Sequence, residues 1–258
     1  MSDFHRQIDH RYGPKVHIPD DPYMRTLLAE LGRPETVQPR LNRLLASLYD
    51  GLLRVCINDM FPRDTRSVRT RMGVDYRDVL LDPAAEVVTV DIARAGIQPS
   101  MVCFERLSTV LDPTGVRQDH VIMNRTTNAA GEVTGAAISG TKIGGPVEGR
   151  IMLFPDPMGA TGSSLCEVVR WYRAHGEGTP ARWISLNLIV TPEFLRRIAA
   201  DAPELEVYCW RVDRGLSPAD VLGMPPGLAW DRERGLNDHH YIIPGAGGLG
   251  EVLNNALH

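Results

Sequence analysis

Apolar positions fall at two spacings along this chain. In residues 42–59, Leu44, Leu45, Leu48, Leu52 and Val55 recur three and four apart, which puts them on one face of a helix. The same spacing joins Leu165, Val168, Val169 and Tyr172, and a shorter helical piece is expected over 24–31. Short apolar runs at 86–93, 150–154, 183–190 and 205–212 read instead as strands, with a briefer one at 120–124. The run at 183–190 is almost continuous, as expected of a strand covered on both faces of a parallel sheet. A helix over 99–111 follows the turn Arg94-Ala-Gly96. Thr191-Pro-Glu supplies an N-cap, a proline at the first helical position and an early acid, and that helix ends before Pro203. Strands alternating with helices predict an α/β fold, a doubly wound, mainly parallel sheet flanked by helices.

In such sheets ligands bind beyond the carboxyl ends of the strands. The turns after Ala93, Asn124, Phe154 and Val190 should therefore surround one crevice. The turn after Phe154 carries the most chemistry: Asp156-Pro-Met-Gly-Ala-Thr-Gly-Ser-Ser164 opens directly onto a helix. A helix N-terminus presents N–H groups and partial positive charge, which suits a phosphate. Gly159 and Gly162 would let backbone approach it, and Thr161, Ser163 and Ser164 could donate further hydrogen bonds. Asp156, the one acid there, suits sugar hydroxyls or a metal-bound water. No lysine follows the last glycine, so this is not a Walker loop, nor is it G-x-G-x-x-G. On its own the segment reads more readily as an ordinary strand-to-helix turn with Ser/Thr caps than as a phosphate loop.

The 258 residues, with a net charge of -4 and 43% hydrophobic residues, suit one α/β domain with or without extensions. That balance gives no reason to expect nucleic acid or a membrane as partner, and no apolar run is long enough to span one. The polar start, residues 1–15, is unlike a secretory signal, so a cytoplasmic location is expected. The four cysteines are far apart in apolar stretches and read as buried thiols, with no dedicated metal site. Residues 1–36 are Pro-rich and read as an N-terminal extension; residues 126–149, rich in Gly, Ala and Thr, read as a mobile hood or a hairpin.

The wording of the 156–164 loop resembles that of uracil phosphoribosyltransferases, whose loop for phosphoribosyl pyrophosphate (PRPP) is typically Asp-Pro-Met-Leu-Ala-Thr-Gly-Gly-Ser. Gly235-Leu-Asn-Asp-His-His-Tyr241-Ile-Ile-Pro244-Gly-Ala-Gly-Gly-Leu-Gly250 is similar to that family's uracil-binding segment, and Thr89-Val-Asp-Ile-Ala-Arg94-Ala-Gly96 to its strand ending in Arg-Ala-Gly. The blocks keep the family's order. The resemblance implies a type I phosphoribosyltransferase domain over 37–258, with an insertion at 215–234. It implies that PRPP is held by Arg94, Arg125, Lys142 and the loop residues Asp156, Pro157, Met158, Gly159, Ala160, Thr161, Gly162, Ser163 and Ser164. Among these, Arg94, Arg125 and Asp156 would carry the chemistry. Tyr241, Ile242, Gly247, Gly248 and Leu249 would receive the base, mainly through backbone. Mg²⁺ would arrive on the pyrophosphate and waters, and dimers or higher homo-oligomers are the family habit.

Two departures matter. Where the family has an acid, this chain has Gly248, with Glu251 at the position of a second acid. Arg125 is followed by Thr-Thr-Asn instead of acids. Three readings follow: transfer of ribose 5-phosphate to uracil giving UMP and pyrophosphate, transfer to another base, or a non-catalytic sensor of PRPP or a nucleotide. His239, His240 and Asp213 lie nearby and read as loop and turn residues.

Overall fold

The computed structural model describes residues 6–127 and 133–256, and the side chains of 125–136 are not described. The chain runs β1 (Val16–His17), α1 (Pro22–Leu31), α2 (Arg40–Met60), β2 (Arg63–Arg69), β3 (Asp75–Leu81), β4 (Val87–Ala93), α3 (Ile97–Val110), β5 (Val116–Thr127) and β6 (Val133–Lys142). It continues through β7 (Ile151–Pro155), β8 (Met158–Gly159), α4 (Ser163–His175), β9 (Arg182–Val190), α5 (Pro192–Asp201), β10 (Leu205–Val212), α6 (Ala219–Leu222) and α7 (Leu249–Val252).

Among the described residues the main sheet has the order β1-β10-β9-β7-β4-β5-β6, with β8 added to β9. All neighbours are parallel except β6, which returns antiparallel along β5. β9 is buried from Ile184 to Val190, which explains its unbroken apolar run. Winding reverses between β4 and β7: β4-α3-β5 steps one way and β7-α4-β9-α5-β10 the other. Right-handed crossovers in opposite directions place their helices on opposite faces. Accordingly α2 and α3 cover one core with Leu45, Leu52 and Leu107, while α4 and α5 cover the other with Val168, Val169 and Ile198.

The mainly parallel, doubly wound sheet expected from the sequence is therefore present. Boundaries moved modestly: α3 starts at Ile97, two residues early, and β5 extends to both sides of 120–124. The β2–β3 hairpin had no counterpart in the sequence reading. All of β2 is exposed, so no buried face imposes a period of two on it. Within 126–149, β6 forms a hairpin with β5, while residues 128–132 of that segment lie outside the described residues. The four cysteines are buried and unpaired.

Segment 1–36 contributes β1 to the sheet edge and packs α1 on α2. Residues 215–234 lie against it through the Arg11 N–H, which donates to the Pro226 carbonyl at 2.7 Å, an edge-on contact of Tyr12 with Trp230, and a buried carboxylate. Glu233, fully buried, accepts from Arg214 Nη1 at 3.0 Å, from the Gly227 N–H at 2.8 Å and from the Tyr12 hydroxyl. Truncating it leaves Arg214 buried without its anion, a change worth about 3–5 kcal/mol. Glu233→Ala should lower the unfolding free energy by that amount and move the urea midpoint down accordingly; an unchanged midpoint would show that this carboxylate does not anchor the segment.

Candidate active site

Gly96 fixes the turn after β4. A Cβ on it would lie 2.8 Å from the Ile92 nitrogen and 3.1 Å from the Pro155 carbonyl oxygen, so only glycine lets the turn close against the end of β7. The turn is held by Gly96 N–H to the Ile92 carbonyl at 3.0 Å and Ile97 N–H to the Arg94 carbonyl at 3.2 Å. The Ala93–Arg94 peptide is cis. Arg94 thus emerges beside the loop that follows β7, with its side chain 56% exposed.

That loop is stitched to β9 from below. The Asp156 N–H donates to the Leu186 carbonyl at 3.0 Å, and buried Asn187 donates from Nδ2 to the Asp156 carbonyl at 2.6 Å. The Pro157 carbonyl accepts from the N–H groups of Leu188 and Ile189. Pro157 and Gly159 are consequently buried, while Asp156, Met158 and Ala160 face a cavity. A Cβ on Gly159 would meet Phe194 and Val190, each at 2.9 Å. Its small size serves packing against α5 and β9. Gly162, at φ +76°, does need glycine: it turns the chain into α4. Ser164, in the first turn of α4, reaches the cavity. Thr161 and Ser163 bond each other, hydroxyl to hydroxyl at 3.1 Å, and neither lines the cavity.

The opposite wall comes from the C-terminal segment. Asn237 shapes its turn, with Oδ1 accepting from the N–H groups of His239 and Tyr241 at 3.0 and 2.9 Å. Beyond Pro244 the chain is clamped by Asp213, which is 2% exposed. Its Oδ2 accepts from the Gly245 N–H at 2.7 Å, and both its oxygens pair with Arg211, whose Nη2 also donates to the Gly245 carbonyl at 3.2 Å. The side chains of Ile242 and Leu249 sink into the core, which leaves backbone as their contribution to the cavity.

These walls enclose about 710 Å³, at the place where the winding reverses. The cavity brings together Arg94, Asp156, Met158, Ala160, Ser164, Tyr241, Ile242, Gly247, Gly248 and Leu249 from the sequence reading. Lys142 is not among them. β6 runs back from the cavity end, so its last residue stands exposed opposite His120. The backbone of Arg125 pairs with Ala136 near the cavity end of β5, and its side chain is not described. Asn124, His240 and Glu251 also line the cavity. Asn124 had a signal in the strand-end rule, since it closes the apolar run of β5. The buried clamp at Asp213 had none.

Burial pushes the Asp156 carboxyl up to about 6, opposed by the Met158 N–H that donates to Oδ1 at 3.2 Å. Among the described residues no three metal-binding side chains cluster, so the cavity offers carboxylates from Asp156 and Glu251 and no closed protein cage. That donor set fits a cation carried in on ligand phosphates and waters.

A mainly parallel, doubly wound sheet with a Ser/Thr-Gly loop opening a helix at its reversal point, faced by an arginine turn, defines a type I phosphoribosyltransferase. The family model described as uracil phosphoribosyltransferase matches residues 18–233, and the chain belongs to that family. Uracil phosphoribosyltransferases from Thermococcus sibiricus and Pyrococcus furiosus are each 25% identical over 246 residues, 94% of this chain and 90% of theirs. The Aquifex aeolicus enzyme is 34% identical over 107 residues, 42% of this chain and 40% of its own. Among solved structures, the AQ2163 protein of Aquifex aeolicus superposes with a TM-score of 0.70 at 25% identity, covering 92% of this chain and 97% of that one.

Asp156 gives a pH signature. Its folded value, about 6, lies above the ordinary 3.8, so the stability it contributes is present below pH 4 and lost as pH rises through 6. Asp156→Asn should therefore match the wild type at pH 4 and exceed it by up to about 3 kcal/mol at pH 8, in denaturation of the ligand-free protein. Equal stabilities at both pH values would rule out the raised carboxyl.

Proposed function

We propose that the protein transfers ribose 5-phosphate from PRPP to uracil, giving UMP and pyrophosphate. The observation that carries this reading is the meeting, across one cavity, of the Asp156–Ser164 loop, Arg94 and the backbone of Ile242 and Gly247 to Leu249. The names of the relatives agree with it.

The loop and the N-terminus of α4 receive the 5′-phosphate, with Ser164 donating from its hydroxyl. Asp156, ionised above about pH 6, accepts from the ribose hydroxyls. The uracil ring lies against the Gly247 to Leu249 backbone, whose N–H and C=O groups match its alternating acceptors and donors. A bond forms between N1 of the base and the anomeric carbon as the bond from that carbon to pyrophosphate oxygen breaks, and the N1 proton leaves to solvent. Charge gathers on the departing pyrophosphate, where the guanidinium fork of Arg94, joined by Arg125, is suited to receive it. Uracil's nitrogen is acidic enough that no strong base is required. Mg²⁺, held through the pyrophosphate by waters and the carboxylates of Asp156 and Glu251, would supply charge neutralisation.

The decisive assay is product formation from labelled PRPP with a panel of bases. UMP with uracil supports the reading; a nucleotide only with another base makes this a transferase of altered acceptor, and binding without turnover makes it a sensor. Arg94→Ala should lower kcat/KM by about 10²–10³, with Tm unchanged because that side chain is mostly exposed. Unaltered kinetics would remove Arg94 from the site.

A further inference from the structure

Segment 215–234 closes on itself as a stem. The Leu216 N–H donates to the Arg234 carbonyl at 3.0 Å, and the Arg234 N–H donates to Ser217 Oγ at 2.9 Å. Ser217 Oγ in turn donates to the Arg214 carbonyl at 2.7 Å. Inside the loop so closed, Arg214 donates to the carbonyls of Val221, Leu222 and Met224 at 3.1, 3.3 and 2.8 Å, and pairs with Glu233 at 3.0 Å. Through Glu233 the hydroxyl of Tyr12 joins the same network.

The mouth of the stem meets one residue, Ile243. The Gly215 N–H donates to the Ile243 carbonyl at 3.0 Å, and the Ile243 N–H donates to the Gly235 carbonyl at 2.8 Å. Both contacts need the absence of a side chain. A Cβ on Gly215 would lie 2.9 Å from the Ile243 carbonyl oxygen, and one on Gly235 would run into the Asp213 carbonyl oxygen. Gly235 is fixed in its turn by α5, its N–H donating to the Glu193 carboxylate at 3.0 Å. The peptide unit is planar, so the Ile243 N–H and the Ile242 carbonyl turn together. Holding the one therefore orients the other, and Ile242 lines the cavity whereas Arg214, Ser217 and Ile243 do not.

We propose that segment 215–234 is a brace for the acceptor base. By closing at Arg214, Ser217 and Arg234 it fixes Ile243, and through it the Ile242 peptide, and so sets the affinity for the base from outside the cavity. Arg214 and Ser217 are positioning residues in this scheme. The 156–164 loop is held instead by β9, through Asn187, so the brace acts on the base and leaves PRPP untouched. The inference rests on the transferase reading of the cavity.

The test is steady-state kinetics with uracil and PRPP varied in turn, beside backbone hydrogen exchange read by mass spectrometry, on wild type, Ser217→Ala, Arg214→Lys and Arg232→Ala. Ser217→Ala removes the hydroxyl that joins the two ends of the stem. It should raise KM for uracil about threefold to tenfold, with KM for PRPP and kcat unchanged. Arg214→Lys keeps the charge but cannot fork to the carbonyls, and should raise KM for uracil further. Exposed Arg232, paired with Asp220 at 2.7 Å, is the control, and its Ala variant should leave both KM values as they are. In the two stem variants exchange should quicken over 241–249 and keep the wild-type rate over 156–164. Thermal melts verify that each variant is folded. A wild-type KM for uracil in Ser217→Ala overturns the proposal, as does a parallel rise in both KM values. If wild type forms no nucleotide with uracil, the transferase reading falls, and the brace stands or falls on the exchange over 241–249.

Discussion

Gly96 stands where the chain leaving β4 crosses the end of β7, within 3.1 Å of a Cβ clash with the Pro155 carbonyl oxygen. The site depends on that crossing. β4 and β7 are parallel neighbours whose connections wind in opposite directions, so their C-terminal turns diverge and leave a crevice between them. Any side chain at Gly96 would push the arginine turn away from the 156–164 loop. The loop is fixed from the other side by Asn187, a buried polar residue in the middle of an apolar strand, whose amide holds the Asp156 carbonyl. Buried polar groups of this kind are expensive unless bonded, and here the bond sets the position of a cavity residue.

The third wall has a different source of rigidity. The segment after Pro244 is rich in glycine, with Gly245 and Gly247 at positive φ, and would be loose by itself. The Arg211–Asp213 pair grips Gly245 at both its N–H and its carbonyl, while Ile242, Leu249 and Leu253 anchor the flanks in the core. An arginine and a carboxylate at the end of β10 thus hold a backbone surface in place. A backbone surface of this kind keeps its shape only with such external support, because its glycines contribute no side chains to hold it.

Much of this was legible because it depends on local periodicity and on loop wording. Apolar runs placed β4, β7, β9 and β10, helical spacing placed α2 and α4, and the strand-end rule placed Arg94, Asn124 and the 156–164 loop near one another. The β2–β3 hairpin was not legible, since exposed strands carry no burial pattern. Lys142 stands outside the cavity lining for a geometric reason: distance along the chain does not reveal that β6 turns back from the cavity. That Gly159 packs tightly was not legible either, because Phe194 and Val190 arrive from α5 and β9.

Sequence by itself determined the alternation of strands and helices, the loop chemistry at Asp156–Ser164 and the family resemblance, all of which are encoded within short windows. Tertiary structure decided which of those residues share a cavity, the buried clamps at Asp213 and Asn187, and the grip of Gly215 and Gly235 on Ile243. Each of these brings partners together across sheet neighbours or a turn of backbone whose path local propensity leaves open, and only packing of the whole chain selects that path.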